Sequence, residues 1–433
     1  MNFNQITALV VLVVVVGVLI HGKIRSEVAA LTAAATLMLA GVIRPVEVQE
    51  AFASPAIIAL ACLFIIAYAI ELSGLLGLLI RQATRLCARL GSAGLWIVMG
   101  LCGGASAFLN NTPIVVLAAP VVKDVATSLR LSPKRFLIPL SYITIMGGAC
   151  TLIGTSTNLL VNDMARNAGQ PVFGVFEITP VGLIIAAAGG LYLFLFGGRL
   201  LASSEDGAPG AGPDPREQTG DGMLGDAALF AVDKPFDVKR AMVALAVFLA
   251  VLLSAAAGVT SIAAAAFAGA VLLILLKVIS PEEAYAGLRP EVLLLIAGMV
   301  VVGLAIEVTG LAAAGTALLI DFIRPFGPWV ALAILYGVTL FATEFLSSAA
   351  VAVLLTPVAV ALAESLGVAP RPFLVAVMMA ASAAFATPFG YQTNVLVFQV
   401  GEYRYMDFVR VGVPLNLITW MVGVIAIPIF FPF

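Results

Sequence analysis

Four short polar stretches interrupt an otherwise apolar chain. They are Ser106-Ala107-Phe108-Leu109-Asn110-Asn111-Thr112-Pro113, Gly154-Thr155-Ser156-Thr157-Asn158, Thr343-Glu344-Phe345-Leu346-Ser347-Ser348 and Pro388-Phe389-Gly390-Tyr391-Gln392-Thr393-Asn394. Asn and Thr followed by Pro mark a helix start: polar caps, then proline at the first helical position. A helix N-terminus presents free N–H groups and a partial positive charge, which favour an anion. Helix C-termini, unwound carbonyls and side-chain oxygens suit a small hard cation such as Na+. Neither ligand needs a lysine or an arginine. The plainer reading is that these residues only cap buried helix ends. Four motifs that match in pairs favour binding.

Residue types exclude other chemistries. The four cysteines, Cys62, Cys87, Cys102 and Cys150, lack metal-ligand spacing and read as free thiols. His21, the only histidine, ends the first apolar run. Metalloprotease, Ser/His and P-loop motifs are missing, so no catalytic residue, nucleotide site or organic cofactor is expected. A net charge of −2 gives no sign of a nucleic-acid partner.

The elements that hold the four stretches follow from composition. Of 433 residues, 62% are hydrophobic and 11% charged, with a mean hydropathy of +1.13. Soluble domains are about 45–50% apolar and about 25% charged, so the bilayer is the natural solvent. The apolar residues come in blocks such as Ile6–Leu19, Ile57–Ile70, Ala241–Val259, Val292–Ile306 and Val411–Phe431. Blocks imply helices; a barrel would alternate. The first block lacks a basic leading region and a cleavage site, and Lys23 and Arg25 follow it. It reads as a retained span that begins outside.

The chain also matches itself when slid by about 236 residues. Ala69-Ile70-Glu71-Leu72-Ser73-Gly74-Leu75 meets Ala305-Ile306-Glu307-Val308-Thr309-Gly310-Leu311, Pro120 meets Pro357, and Gly154–Asn158 meets Gly390–Asn394. Glu, Pro, Gly and Asn kept in register indicate duplication. The Gly-, Pro-, Asp- and Glu-rich segment 203–239 reads as a flexible cytoplasmic linker between a first repeat, 1–202, and a second, 240–433. Each repeat is expected to hold about five crossings and one re-entrant hairpin. The hairpins are placed at 93–126, entered from the cytoplasm, and 327–364, entered from outside. The interrupted segments fall near 147–158 and within 373–402. With both termini outside, every one of the 22 basic residues except Arg44, Arg166, Arg324 and Arg371 falls on the cytoplasmic side of an inner (plasma) membrane. An odd number of crossings per repeat inverts the second copy.

The hairpin tip Asn110-Asn111-Thr112, four residues after Ser106, resembles the Ser-Asn-Thr signature of the divalent anion/sodium symporters, the solute carrier 13 group. Gly154-Thr155-Ser156-Thr157-Asn158 is similar to a stretch common in its bacterial permeases. The resemblance covers nearly the whole chain. It implies an all-α elevator-type homodimer: a scaffold domain of early spans, and a transport domain of hairpins, broken helices and last spans. It also implies Na+ as coupling ion, with Ser106, Asn110, Asn111 and Gly154 at a first site. Thr343, Ser348 and the backbone at Phe389–Gly390 would form a second. Asn111, Thr112, Thr157, Ser347, Ser348, Thr393 and Asn394 would face a small anionic substrate.

The second hairpin departs from the pattern: Ser347-Ser348-Ala349 replaces Ser-Asn-Thr and lacks an amide and a hydroxyl. An extended dicarboxylate would want two full polar tips. A compact dianion such as sulfate is therefore expected ahead of a C4-dicarboxylate. The competing reading is a cation/proton antiporter or a metalloid oxyanion efflux carrier of the same superfamily. It needs a titrating carboxylate at the core, and Glu344 is the candidate; otherwise Glu344 is a satisfied helix-end carboxylate. Glu71 and Glu307 occupy equivalent positions and read as structural.

Overall fold

In hydrocarbon a backbone must satisfy its own hydrogen bonds, so apolar blocks become helices. The computed structural model describes residues 3–21, 24–75, 77–78, 91–202, 236–311 and 327–433. The expected linker before residue 236, the far ends of the third spans and Cys87 lie outside the described residues. Regular structure among those described is all helical, and the chain is an all-α polytopic membrane protein.

The first half comprises α1 (Phe3–His21), α2 (Ser26–Leu39), α3 (Pro45–Phe52), α4 (Pro55–Leu72), α5 (Ser92–Ser106), α6 (Asn111–Ser128), α7 (Lys134–Ala149), α8 (Ser156–Asn167) and α9 (Thr179–Tyr192). A π-helical turn, Leu193–Gly197, carries α9 on into Gly198–Ala202. The second half follows in the same order. It comprises α10 (Val238–Ala256), α11 (Ile262–Leu275), α12 (Pro281–Gly287), α13 (Pro290–Val308), α14 (Gly327–Thr343), α15 (Ser348–Leu366), α16 (Arg371–Ala381), α17 (Gln392–Val400) and α18 (Tyr405–Phe430).

Two features differ from the reading of the sequence. The second span of each half stops short, at 14 residues in α2 and in α11. A separate short helix then follows, α3 or α12. Both begin with proline, and a glutamate in the first turn accepts from the cap N–H: Arg44 N to Glu47 Oε2 at 2.8 Å, Ser280 N to Glu283 Oε2 at 2.9 Å. The second arm of the second hairpin, α15, belongs to a segment read as re-entrant. Its 19 residues are long and apolar enough to span on length and composition.

Packing between the halves is reciprocal. α2 lies along α13 while α11 lies along α4; α3 packs on α13 while α12 packs on α4; α8 packs on α15 while α17 packs on α6. Gly287, at the end of α12, abuts Tyr68 near the end of α4, so α13 starts where α4 stops. The two helices run in opposite directions. Residues of α4, α10, α11 and α12 share one buried cluster, and the hairpins and broken helices belong to another.

The hairpin α5–α6 is held against α7 by a close backbone crossing. A Cβ at Gly147 would stand 2.1 Å from the Gly103 carbonyl oxygen. Overpacking of this kind costs about 1–3 kcal/mol. Gly147→Ala is therefore expected to lower the melting temperature in detergent. Gly190→Ala, which meets nothing within 4 Å, should leave it unchanged.

Candidate functional site

The first hairpin turns through residues 107–110. Asn110 has extended backbone and caps α6, its Oδ1 accepting from Thr112 N at 3.3 Å. Ser106 and Asn111 flank the turn and are buried, Asn111 at 2% exposure. The Ser106 hydroxyl reaches both Asn111 Oδ1 and the Thr144 carbonyl on α7, the latter at 2.8 Å. One hydroxyl proton serves only one of these oxygens, so the cluster is rich in acceptors.

α7 ends at Ala149, and the chain crosses to α8 through residues 150–155. Here the Thr151 hydroxyl donates to the Ala107 carbonyl and accepts from Gly154 N at 3.0 Å. Asn158 donates from Nδ2 to the Thr151 carbonyl at 2.9 Å and to that of Ala149 at 3.5 Å. There is no room for a side chain at Gly154. A Cβ there would lie 2.4 Å from the Gly148 carbonyl oxygen and 2.8 Å from that of Ala107. At Gly148 it would lie 2.7 Å from Asn111 Oδ1. Hydroxyl, amide and carbonyl oxygens thus converge at the hairpin tip. A hard cation fits that donor set.

The second half repeats most of this network. Thr343 Oγ1 donates to the Ala381 carbonyl at 2.8 Å and stands 3.4 Å from Ser348 Oγ. Thr387 Oγ1 donates to the Glu344 carbonyl at 3.2 Å and accepts from Gly390 N at 3.1 Å. Asn394 Nδ2 donates to the carbonyls of Ala384 at 2.8 Å and Thr387 at 3.2 Å. The chemical difference is at the tip, where the Ser348 hydroxyl stands in the place of the Asn111 amide.

Glu344 has no counterpart in the first half. Its Oε1 accepts from Phe385 N at 2.9 Å, Ala386 N at 2.8 Å and Asn416 Nδ2 at 2.7 Å. Its Oε2 accepts from Thr387 N at 2.9 Å. The side chain replaces the hydrogen bonds that the backbone loses where α16 ends, and it ties that break to α18. This is the satisfied helix-end carboxylate of the plainer reading.

The two halves meet through polar side chains. Asn111 Nδ2 donates to the Tyr391 hydroxyl at 3.0 Å, and Thr112 Oγ1 to Gln392 Oε1 at 3.1 Å. Ser141 on α7 lies 2.7 Å from both Thr393 Oγ1 and Asn394 Oδ1. The structure therefore gathers Ser106, Asn111 and Gly154 at one tip, with Asn110 capping beside them. Thr343, Ser348 and Gly390 gather at the other. Ser347 is exposed and caps α15, accepting from Ala350 N at 3.3 Å. Thr157 and Thr393 are buried in the first turns of α8 and α17. Asn394 is fully buried with both ends of its amide engaged by protein, so it braces the break.

Several contributors went unremarked in the sequence: Thr144, Thr151, Ser141, Thr387, Tyr391 and Asn416. Thr151 and Thr387 carried a signal, because each stands three residues before the glycine of its break. Tyr391 lay in the fourth polar stretch with no role of its own assigned; it matters because the other half's hairpin folds against it.

Paired hairpins and broken helices that converge inside a polytopic helical bundle are the build of a transporter. Comparison with known proteins goes further. Residues 11–369 match the citrate transporter family (CitMHS), and the chain belongs to that family. It is similar to an uncharacterized transporter of Synechocystis, 24% identical over 90% of this chain and 91% of the relative. It is equally similar to the uncharacterized transporter YfbS of Escherichia coli, 24% identical over the full length of both. A shorter stretch, 21% of this chain, is 41% identical to a probable sodium/sulfate cotransporter 3 of Chlamydomonas reinhardtii, covering 11% of that protein. The chain is a multi-pass membrane transporter and not an enzyme.

Glu344→Ala would leave three backbone N–H groups and an amide without their acceptor. Each orphaned group costs about 1–3 kcal/mol. The variant is expected to melt well below the parent in detergent. Glu344→Gln, which keeps one oxygen, should lie between them.

Proposed function

We propose that the chain is a secondary active transporter carrying a small divalent anion by symport with Na+. The observation that carries this reading is the oxygen cluster at each hairpin tip, held by similar hydrogen bonds in the two halves. Ser106, Asn110, Asn111 and the backbone at Gly154 hold one Na+. Thr343, Ser348 and the backbone at Phe389–Gly390 hold a second. All are neutral oxygen donors, which bind Na+ without titrating.

The anion sits between the tips. Asn111, Thr112, Thr157, Ser347, Ser348 and Thr393 surround it, and the starts of α6, α8, α15 and α17 offer their N–H groups. Asn394 supports that surface from behind. α1–α4 with α10–α13 form the scaffold of an elevator-type homodimer, and α5–α9 with α14–α18 form its moving part. The molecule lies in the inner membrane with both termini outside. The names of relatives matched over a short stretch, sodium/sulfate cotransporters, support Na+ and sulfate as the pair. The short hydroxyls of the second tip favour sulfate over a C4-dicarboxylate for the reason given by their reach.

Uptake into proteoliposomes tests this with radiolabelled sulfate, succinate and citrate, imposing Na+ and pH gradients separately. A Na+ gradient should drive sulfate uptake, and Ser106→Ala should raise the Na+ concentration for half-maximal rate. Uptake driven by a pH gradient alone, and abolished in Glu344→Gln, would favour a proton-linked carrier instead. Losing a hydrogen bond to a charged group costs about 1.5–3 kcal/mol, roughly ten- to a hundredfold. Thr112→Ala should weaken sulfate competition by that order, and Ala349→Thr should alter it far less. Tight succinate binding unaffected by sulfate would overturn the substrate assignment.

A further inference from the structure

The two halves share a network but not an arrangement. α8 packs against α4 and α13. In its C-terminal half Asp163, 2% exposed, lies beside Ser54, the residue that caps α4. Arg166 Nη2 lies 2.6 Å from Asp163 Oδ1. The counterpart of α8 is α17, which makes no comparable packing with α13 or α4 among the described residues. A cavity of about 270 Å3 opens there instead, between the end of α4, the start of α13 and the first hairpin. Tyr68, Glu71, Asn110, Arg289 and Glu291 line it. The hairpins differ likewise: α15 packs along α13, while Leu109–Ile114 faces α4 across the cavity.

Sliding the sequence by the repeat converts one side into the other. With the helix starts matched, Ser54, which precedes Pro55 at the start of α4, corresponds to Arg289, which precedes Pro290 at the start of α13. Asp163 becomes Gln399, and Arg166 becomes Glu402. Gln399 and Glu402 are both exposed. Ser54 and Arg289 stand at opposite ends of α4, about 27 Å apart for an 18-residue helix.

We propose that Arg289 and Glu402 form a latch on the cytoplasmic side that closes as the Asp163–Ser54 contact opens. This rests on the inverted-repeat transport reading. When the halves exchange conformations, the last turn of α17 docks on the start of α13 as that of α8 now docks on the start of α4. Arg289 then faces Glu402 and the cavity closes. Arg289 is not free in the present arrangement, so the change is an exchange of partners. Opposite charges suit an open side that must release its contact into water and close again, because a solvated pair separates at small cost.

The test is conformational and uses neither a substrate nor a known coupling ion, so its failure is distinct from failure of the symport reading. In a cysteine-free background, Ala67→Cys on the cavity wall reports access from the cytoplasmic side through its rate of thiol labelling. Arg289→Glu and Glu402→Arg should each hold the cavity open and raise that rate severalfold. The double exchange, Arg289→Glu with Glu402→Arg, should return it to within about twofold of the parent, as coupled neighbours do. Arg289→Cys with Glu402→Cys, without the reporter, should cross-link with a short bifunctional thiol reagent. Additive effects in the double exchange, or failure of the pair to cross-link, would overturn the proposal.

Discussion

Where a chain leaves the helix inside hydrocarbon, every freed N–H and C=O must find a new partner within the protein. The rest of this structure depends on how that demand is met. At each break an asparagine amide takes two carbonyls, Asn158 those of Ala149 and Thr151, Asn394 those of Ala384 and Thr387. A threonine hydroxyl joins the break to the hairpin turn, from Thr151 to Ala107 and from Thr387 to Glu344. In the second half Glu344 also takes three N–H groups at once. These bonds leave other oxygens at the tips, and the proposed binding of Na+ rests on that surplus.

The halves differ in what they do with a similar frame. Ser141 lies within hydrogen-bond reach of Asn394 Oδ1, whereas the matching oxygen of Asn158 is buried with no hydrogen-bond partner. The position matching Ser141 is Met378, fully buried and unable to donate such a bond. The first tip carries an amide and the second a hydroxyl. An anion placed between the tips meets unlike walls, which favours a small ligand held mostly from one side.

Much of this was legible in the sequence because its signals are strong and local. Apolar blocks mark helices, and Asn110, Pro113 and Gly154 mark turns and caps. The repeat exposes pairs such as Ser106 with Thr343. Less legible were features decided by distant contacts. The short helices α3 and α12 are too polar to read as spans, with Glu47, Gln49 and Glu50 in one and Glu282 and Glu283 in the other, and only a proline and a capping glutamate mark them as helices. Asn394 looks like a binding residue by its place beside Thr393, yet its surroundings turn it inward. Glu344 was ambiguous because its four donors come from residues 385–387 and 416, remote in sequence. No pattern along one helix reveals them.

The central claim is that the paired oxygen clusters bind Na+, and direct binding tests it without any anion or membrane potential. Melting of the purified protein in detergent should be followed against NaCl, with choline chloride keeping ionic strength constant. A ligand that binds only the folded state stabilises it by RT ln(1 + [L]/Kd). The account predicts a melting temperature that climbs with Na+, with a smaller climb in Ser106→Ala and in Thr343→Ala. Equal stabilisation by choline, or an undiminished Na+ response in both variants, would contradict it.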